Sequence, residues 1–515
     1  MAKRPGHTEA AIELKGIDKR FGAVHANRAI DLTIAKGTIH GIVGENGAGK
    51  STLMSILYGY YEADAGEIIV AGTKRTIRAP QHAIAAGIGM VHQHFMLVDN
   101  FTVLENVVLG AEGAPLLGPA LARARRTLAE LARDHALEID PDATVETLAV
   151  GLQQRVEILK ALFRGAEILI LDEPTGVLTP TEAGHLFAIL SHLRDQGRTV
   201  ILITHKLREI MAVTDRVSVM RRGEIVATRE TADTTEAELA ELMVGRKVLL
   251  RVEKAPARPG GPVLEVQGLT IRDRGGLTRV DTVSFEVRAG EIVGIAGVAG
   301  NGQSELLEAI AGMRPIAGGA IVHRGRRVTS ARPADPASVR GLGVAHVPEN
   351  RSRDGLVMAF KEYENAILGY HRDPRYGNGA VLDLAAIRAE AAREIAAYDI
   401  RPPDCRLPAS SFSGGNQQKI VLAREFEADP TLLVIGQPTR GVDIGAIEFI
   451  HNRIVDMRDR GKAILLVSVE LDEILSLSDR ILVMCEGRIV GERAAAVATR
   501  ADIGMLMAGA TEHAA

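Results

Sequence analysis

Short continuous apolar runs and one amphipathic stretch set the predicted secondary structure of this chain. The runs Ile168–Leu171, Ile201–Ile203 and Ile464–Val467 are too short for typical helices and are flanked by polar residues. Such runs are typical of strands buried on both faces of a parallel sheet. From Ala120 to Leu137, leucines recur at helical spacing with Arg and Glu on the opposite face, which predicts an amphipathic helix. Together these patterns predict an α/β fold.

The sequence repeats itself. Matching positions keep a constant offset of 264 residues through the back of each repeat, and a net insertion of 11 residues accounts for the offset of 253 at the front. Chance similarity does not hold register over so many positions. We therefore predict two homologous domains, 1–250 and 263–515, joined by a charged Pro/Gly-rich linker at 251–262. The matching segments are Gly44–Ser51 with Gly297–Ser304, Gly151–Arg155 with Gly415–Lys419, Pro174-Thr175 with Pro438-Thr439, and Leu242-Met243 with Leu506-Met507.

Composition narrows the class of protein. The 515 residues suffice for roughly two to four domains, and their 46% hydrophobic and 24% charged content is ordinary for a globular protein. A formal net charge of −4 and 3% aromatic residues, with no Trp, argue against a nucleic-acid-binding surface. The two cysteines, Cys405 and Cys485, make neither a zinc motif nor a disulfide framework, which fits a reducing compartment. We find no apolar signal core and no run of about 18 apolar residues, so we expect a protein that does not span a membrane.

A glycine-rich turn lies between a predicted strand and a predicted helix. The strand-like segment Thr38–Val43 leads into Gly44–Ser51, and apolar residues at helical spacing begin after Lys50. This is the context of a Walker A loop, whose backbone N–H groups surround nucleotide phosphates at the positive end of a helix dipole. Lys50 supplies a cation for the β- and γ-phosphates, and the Ser51 hydroxyl can ligate Mg²⁺. The predicted nucleotide-binding residues here are Gly44, Glu45, Asn46, Gly47, Ala48, Gly49, Lys50, Ser51 and Thr52.

Polar side chains follow other predicted strands. Asp172 and Glu173 end an apolar run, where the first carboxylate can hold Mg²⁺ through water and the second can orient the attacking water. His205 also follows a strand and can donate to the γ-phosphate or hold that water. Without a Walker A loop, such residues are more often solvated or structural. The histidines flanking Gln93 lack an accompanying Cys or carboxylate, so we do not expect a separate metal site there.

These motifs, in this order and spacing, resemble those of the ATP-binding-cassette (ABC) ATPases. The tandem arrangement is similar to the simple-sugar and nucleoside importer subfamily, and the nucleoside branch is the more similar. The resemblance implies two tandem P-loop nucleotide-binding domains, each with a mostly parallel core sheet, an antiparallel subdomain and a helical subdomain. It also implies that ATP and Mg²⁺ bind between the Walker motifs of one half and the signature of the other. The motifs are Walker A at Gly44–Ser51, a glutamine loop at Gln93, Walker B at Asp172-Glu173, a switch histidine at His205 and a signature at Ser413–Gln418.

The resemblance also implies roles for individual side chains. Phe21, upstream of the Walker A strand, is expected to stack on adenine, with a place in the core as the alternative. The implied catalytic residues are Lys50, Gln93, Glu173 and His205. The implied Mg²⁺ ligands are Ser51, Gln93 and Asp172. The implied signature residues, which close over ATP from the second half, are Ser413, Gly414, Gly415 and Asn416.

The two halves have lost opposite motifs. The first-half signature segment Leu148–Leu152 lacks the expected serine and one glycine, whereas the second half keeps them at Phe412–Asn416. Likewise, Thr179 stands where the second half has Asp443. Head-to-tail pairing would therefore collect the intact parts in one site, so we predict that one site hydrolyses ATP and the other is at most a nucleotide-binding clamp. The second-half replacements are Gln303 for Lys50, Gly436 for Asp172, Gln437 for Glu173, Val469 for His205 and Glu349 for Gln93.

The resemblance to importers implies partners and a location. We expect an ATP-hydrolysing subunit on the cytoplasmic face of the inner membrane that energises uptake of a nucleoside or simple sugar. Integral membrane permeases and an extracytoplasmic substrate-binding protein or lipoprotein would complete the importer. The segment Phe95–Leu104 follows the glutamine loop, where the family places the groove for the permease; a core position is the alternative.

Other functions compete with import. A soluble tandem cassette that remodels ribosomes or DNA usually keeps two intact sites, a long helical connector and a basic surface, unlike this chain. A nucleotide-responsive binding protein without turnover would not need Glu173, His205 or Ser413. Export is a further possibility within transport, but the tandem layout favours import.

Overall fold

The computed structural model divides the chain into two compact units, Met1–Val248 and Leu249–Ala515. Within the residues it describes, no helix has both the length and the apolar character needed to cross a bilayer. The described residues are 9–22, 24–92, 95–111, 117–135, 137–176, 178, 180–247, 252, 254–298, 300–378, 381–442, 444–507 and 509.

The first unit has ten described strands and eight described α-helices. The strands are β1 (Ala10–Phe21), β2 (Val24–Ala35), β3 (Ile39–Gly44), β4 (Ala65–Val70), β5 (Thr73–Arg75), β6 (Ile88–Val91), β7 (Ile168–Asp172), β8 (Thr199–Ile203), β9 (Arg216–Arg221) and β10 (Glu224–Glu230). The helices are α1 (Lys50–Tyr58), α2 (Pro80–Ala85), α3 (Val103–Val108), α4 (Leu117–Asp134), α5 (Val150–Phe163), α6 (Pro180–Asp195), α7 (Leu207–Val213) and α8 (Glu236–Val244).

The second unit repeats this series of elements. Its strands are β11 (Pro262–Arg272), β12 (Thr278–Arg288), β13 (Ile292–Ala296), β14 (Gly318–His323), β15 (Arg326–Val328), β16 (Val344–Val347), β17 (Leu432–Gly436), β18 (Ala463–Val467), β19 (Arg480–Cys485) and β20 (Arg488–Ala494). Its α-helices are α9 (Gln303–Ile310), α10 (Pro336–Gly341), α11 (Glu362–Ala366), α12 (Leu384–Ala397), α13 (Gly414–Glu427), α14 (Ile444–Asp459), α15 (Leu471–Leu477) and α16 (Arg500–Met507).

Both units have the same two-sheet topology. The six-stranded sheets run β10-β9-β3-β8-β7-β6 and β20-β19-β13-β18-β17-β16, with only the outer strands β10 and β20 paired antiparallel. The four-stranded sheets, β2-β1-β4-β5 and β12-β11-β14-β15, are antiparallel. The registers agree as well, since Asp172 lies beside Ile203 and Gly436 beside Val467. This topology confirms the predicted α/β fold of two tandem cassettes.

The apolar runs form buried central strands, as predicted. Every residue of β7, β8 and β18 is buried, because helices and the second sheet leave neither face of these parallel strands to solvent. The predicted helix Ala120–Leu137 is observed as α4, which ends earlier, at Asp134. Leu137 lies beyond the helix and is fully buried, so its apolar character reflects packing of the following segment into the core.

A buried pair of carboxyl groups distinguishes the helical part of the second unit. Glu362 on α11 and Glu394 on α12 are 0% and 2% exposed, where the first unit has the apolar Val103 and Leu131. Both oxygens of Glu362 and one of Glu394 lack a hydrogen-bond partner among the described residues. Burial raises the pKa of each to about 8, and the nearby carboxyl of Glu362 adds to the rise at Glu394.

These two groups predict that the free energy of unfolding falls as the pH rises from about 5 to about 9. An unfolded glutamate loses its proton near a pKa of about 4.3, whereas both buried groups hold theirs until about 8. The unfolded state therefore binds fewer protons across this interval and gains stability relative to the folded state. The double variant Glu362→Val/Glu394→Leu should flatten the dependence and raise the thermal midpoint at pH 9. An unchanged slope, measured by circular dichroism, would show that these carboxyls are not the cause.

Candidate functional site

The glycine-rich turn runs from Gly44, the last residue of β3, to Lys50, the first residue of α1. Gly49 has a φ of 99°, and a Cβ at this position would lie 2.2 Å from the carbonyl oxygen of Ala26. Only glycine satisfies both conditions. The turn thus brings the chain into the first turn of α1, where backbone N–H groups and the helix dipole favour an anion.

The Lys50 side chain folds back over this turn. Its Nζ donates hydrogen bonds to the carbonyl oxygens of Gly44 at 2.8 Å and Glu45 at 3.0 Å, and the residue is 6% exposed. Burial lowers the pKa of Lys50, and the negative charges of Glu173, Asp172 and Glu45 oppose that shift. The ammonium group is therefore fixed against the loop, within electrostatic range of both strand-end carboxylates.

Asp172 ends β7 and is buried close to the start of α1. Its carboxylate accepts a hydrogen bond from the hydroxyl of Ser51, which follows Lys50 in that helix. Burial raises the pKa of Asp172 and the charge of Glu173 raises it further, while Ser51 and Lys50 act in the opposite direction. The two predicted metal ligands that the structure describes are thus in direct contact. The third, Gln93, lies outside the described residues.

Glu173 and His205 form a pair at the ends of adjacent strands. Nδ1 of His205 lies 2.8 Å from Oε1 of Glu173, whose backbone has a left-handed φ of 47°. Burial alone would raise the pKa of Glu173, but the hydrogen bond from His205 and the charges of His205, Lys50 and Lys206 outweigh it and lower that pKa. The structure therefore brings an ionised carboxylate and an imidazole into contact, with the Lys50 ammonium group within electrostatic range.

Glu209 connects the two loops that carry this pair, and the sequence reasoning did not identify it. This buried residue on α7 accepts one hydrogen bond from the hydroxyl of Thr175 and another, 3.0 Å long, from the hydroxyl of Thr204. The second unit repeats the first of these contacts, since Thr439 donates to Glu473 at 2.8 Å. The constant repeat offset places Glu473 at the position of Glu209, and this recurrence of a glutamate in both repeats could have identified the residue from sequence.

Phe21 lies at the end of β1 and is 42% exposed, so it is not the core residue of the alternative interpretation. Its ring meets Tyr61 edge to face with centroids 5.1 Å apart, and Nζ of Lys19 lies 5.5 Å from its centroid. Tyr61 is itself exposed and was not among the predicted site residues. The two rings form an exposed aromatic surface of the kind that can stack on a planar base.

The segment Phe95–Leu104 divides between surface and core. Met96 is 62% exposed, and its backbone N–H donates to Oε1 of the buried Glu157 at 2.7 Å. Val103 and Leu104 are buried. The core alternative therefore holds for the end of the segment, and the beginning of the segment places an apolar side chain at the surface.

The two signature segments begin equivalent helices with different caps. In the second unit Ser413 is the N-cap of α13, and its Oγ accepts hydrogen bonds from Nδ2 of Asn416 at 2.9 Å and from the backbone N–H of Asn416 at 3.5 Å. In the first unit Ala149 occupies the N-cap of α5 and provides no side-chain cap. Only the second unit thus presents a hydroxyl group at this helix N-terminus.

The second unit keeps the backbone of the Walker site with different side chains. Gln437 has a φ of 49°, like Glu173, and its Oε1 accepts a hydrogen bond from the backbone N–H of Val469 at 3.3 Å. Gln303 starts α9 and donates from Nε2 to the carbonyl oxygen of Val298 at 3.1 Å. The loss of charged groups therefore leaves the fold of the site unchanged.

Comparisons with known protein sequences show the family of this chain. Residues 28–176 and 280–440 match the sequence model of the family described as ABC transporter. The chain is 48% identical to the nucleoside import ATP-binding protein NupA of Lactococcus lactis subsp. cremoris, with 97% of this chain and 98% of the relative covered. It is 47% identical to the guanosine import ATP-binding protein NupO of Bacillus subtilis (98% of each chain) and to the glucose import ATP-binding protein TsgD13 of Haloferax volcanii (97% and 96%). Two matched cassettes and similarity along the whole length lead to one conclusion: the chain belongs to the ABC transporter family, as a tandem-cassette ATPase.

Proposed function

We propose that this chain is the ATP-hydrolysing subunit of an importer for nucleosides, with simple sugars as the alternative cargo. The Glu173–His205 pair beside a Walker A loop carries the proposal, because it provides the groups that hydrolysis of a nucleoside triphosphate needs. The names of two relatives, which specify nucleoside and guanosine import, support the cargo class. The glucose import protein is nearly as similar, which makes sugars the alternative to test.

In this proposal the loop from Gly44 to Thr52 holds the triphosphate and Lys50 contacts its β- and γ-phosphates. Mg²⁺ fits the first unit because the Ser51 hydroxyl and the Asp172 carboxylate, oxygen donors of the type it prefers, are already in contact. Gln93 is the third proposed ligand. Bound Mg²⁺ would neutralise negative charge that develops on the transferred phosphoryl group.

Glu173 is proposed to orient the attacking water and to accept its proton. Its lowered pKa keeps the carboxylate ionised at neutral pH, as that role requires. His205 holds the carboxylate through the 2.8 Å hydrogen bond and keeps it directed at the loop. Glu209, through Thr175 and Thr204, is a positioning residue for both loops.

The hydrolytic site is proposed to be completed by the signature of the second half. Ser413 offers a hydroxyl at the N-terminus of α13, together with the N–H groups of Gly414, Gly415 and Asn416. The complementary site would combine the altered Walker residues of the second half with an N-cap alanine, Ala149, and would not hydrolyse ATP. Closure of the halves would then couple one hydrolysis event to each conformational cycle.

The proposed importer contains further subunits. We assign domains to 1–250 and 263–515 with a linker at 251–262, a peripheral position on the cytoplasmic face of the inner membrane, and contacts to integral membrane permeases. Exposed apolar side chains near the glutamine-loop positions, Met96 in the first unit and Phe360 in the second, support a permease contact. An extracytoplasmic binding protein or lipoprotein would deliver the cargo.

Reconstitution with the co-purified permease tests the proposed function. Vesicles loaded with ATP and containing the complex should accumulate a radiolabelled nucleoside in the presence of the binding protein, and ribose or glucose should not compete. Competition by a sugar would reassign the cargo. Capture of the chain with ribosomes, and not with membrane proteins, would contradict the importer.

Phe21→Ala should weaken ATP binding by about tenfold, because the loss of a base-stacking ring costs roughly 1–2 kcal/mol. The matched control is Leu277→Ala, which removes an exposed apolar side chain from the equivalent hairpin of the second unit. Titration with a fluorescent ATP analogue measures both variants. Equal affinity for wild type and Phe21→Ala would exclude the stacking role.

A further inference from the structure

The second unit contains a hydroxyl–carboxylate pair like that of the first unit, but the carboxylate comes from a different element. Ser304 follows the first residue of α9, as Ser51 does in α1. Oγ of Ser304 donates a hydrogen bond to Oε2 of Glu349 at 2.5 Å. In the first unit the equivalent hydroxyl, that of Ser51, donates a hydrogen bond to Asp172 at the end of β7. The pair therefore persists although the strand-end carboxylate has been lost.

The absence of a side chain at Gly436 makes room for Glu349. Gly436 ends β17 in the register in which Asp172 ends β7. A Cβ on Gly436 would lie 2.6 Å from Cγ of Glu349 and 2.9 Å from Cδ1 of Leu307. Carbon atoms do not approach this closely without displacement. An aspartate at position 436 and the observed Glu349 side chain thus compete for the same space.

The second-unit Walker turn lacks the ammonium group of the first. Gln303 stands at the position of Lys50 and Gln437 at that of Glu173, and both are neutral, so the charged partner of the Ser304 hydroxyl is Glu349. Within the described residues, no Lys, Arg or His forms an ion pair with Glu349, whose hydrogen-bond donor is Ser304. Phosphates beside this carboxylate would be repelled unless a divalent cation lay between them.

We propose that Glu349 and Ser304 form a divalent-cation site in the second unit, which binds Mg²⁺ together with the phosphates of an intact nucleotide. The inference rests on the proposed function in taking that nucleotide to be ATP. A hydroxyl, a carboxylate and phosphate oxygens are the donors that Mg²⁺ prefers. Gln437 is neutral and holds the backbone of Val469, so no general base directs water at the nucleotide. The second unit would therefore bind the metal ion without hydrolysing the nucleotide.

The number of bound Mn²⁺ ions tests the proposal, counted by electron spin resonance on the purified full-length chain with a non-hydrolysable ATP analogue. Wild type should bind about two Mn²⁺ per chain, and Glu349→Ala, which removes the oxygen donors, about one. The double variant Glu349→Ala/Gly436→Asp returns a carboxylate from the strand end into the vacated space and should restore about two. Asp172→Asn is the mirror-image control, since it should remove the ion of the first unit and leave the other.

The outcomes separate the inference from the proposed function. Two Mn²⁺ ions retained by a folded Glu349→Ala, or by the second variant Ser304→Ala, would overturn the inference. It would also fail if wild type bound a single Mn²⁺ ion that Asp172→Asn removes, while ATP binding by the first unit, and the proposed function, would stand. A wild-type chain that bound no nucleotide would contradict both. Circular dichroism on each variant shows that a lost ion does not reflect lost folding.

Discussion

Glu173→Gln should lower the rate of ATP hydrolysis by about 10²- to 10⁴-fold while leaving ATP affinity within a few-fold of wild type. Glutamine keeps the size of the side chain but cannot accept a proton from the attacking water. His205, which lies 2.8 Å from the carboxylate in the wild type, would keep a hydrogen-bond acceptor. Phosphate release and equilibrium nucleotide binding on the purified chain measure the two effects separately.

The repeat supplies a matched control for this variant. Gln437 occupies the same strand-end position with nearly the same backbone φ, 49° against 47° for Glu173. Gln437→Ala should leave the rate of hydrolysis within about twofold of wild type, since a carboxamide side chain does not act as a general base. A wild-type rate for Glu173→Gln, or an equal loss in both variants, would remove Glu173 from its proposed role.

Lys50→Met should lower kcat/KM for ATP by about 10²- to 10³-fold and, unlike Glu173→Gln, weaken nucleotide binding as well. Methionine fills similar volume in the buried position but provides no charge for the β- and γ-phosphates. The ammonium group contacts the ground state and the transition state alike, so both affinity and rate depend on it. Steady-state kinetics together with binding titrations distinguish this pattern from loss of the general base.

Gln303→Met is the corresponding control in the second unit. Gln303 is buried at the start of α9 and donates to the carbonyl oxygen of Val298, much as Lys50 donates to that of Glu45. We expect its substitution to leave kcat/KM within about threefold of wild type, because the second-unit Walker residues lie outside the proposed hydrolytic site. Comparable losses for Lys50→Met and Gln303→Met would mean that the two Walker sites contribute equally.

The sheet and the strand-end residues could be predicted from sequence for a physical reason. Parallel strands buried on both faces require continuous apolar runs, and each such run ends at the same edge of the sheet. Asp172 and Glu173 follow one run and His205 follows the next strand in the sheet, so their proximity follows from topology. The end of α4 was less predictable, because Leu137 is buried by the tertiary packing of a segment that is no longer helical.

Contacts between distant segments could not be predicted in this way. Glu349 and Ser304 are 45 residues apart, and their hydrogen bond depends on the room left by a glycine on a third element, Gly436. The contacts of Glu209 with two threonines could not be predicted from the sequence either, although the repeat places a second glutamate, Glu473, at the equivalent position. The buried glutamates of α11 and α12 stand where the first unit has apolar residues. Their burial close to each other depends on how the two helices pack, which the sequence does not show.

A structure of the full-length Glu173→Gln chain with Mg²⁺ and ATP tests the complementary pairing of the two halves most directly. The pairing predicts one ATP whose γ-phosphate lies within about 3 Å of both Nζ of Lys50 and Oγ of Ser413. Lys50 and Ser413 bound to different nucleotides, or a γ-phosphate contacted by Lys50 with Ser413 far away, would contradict it.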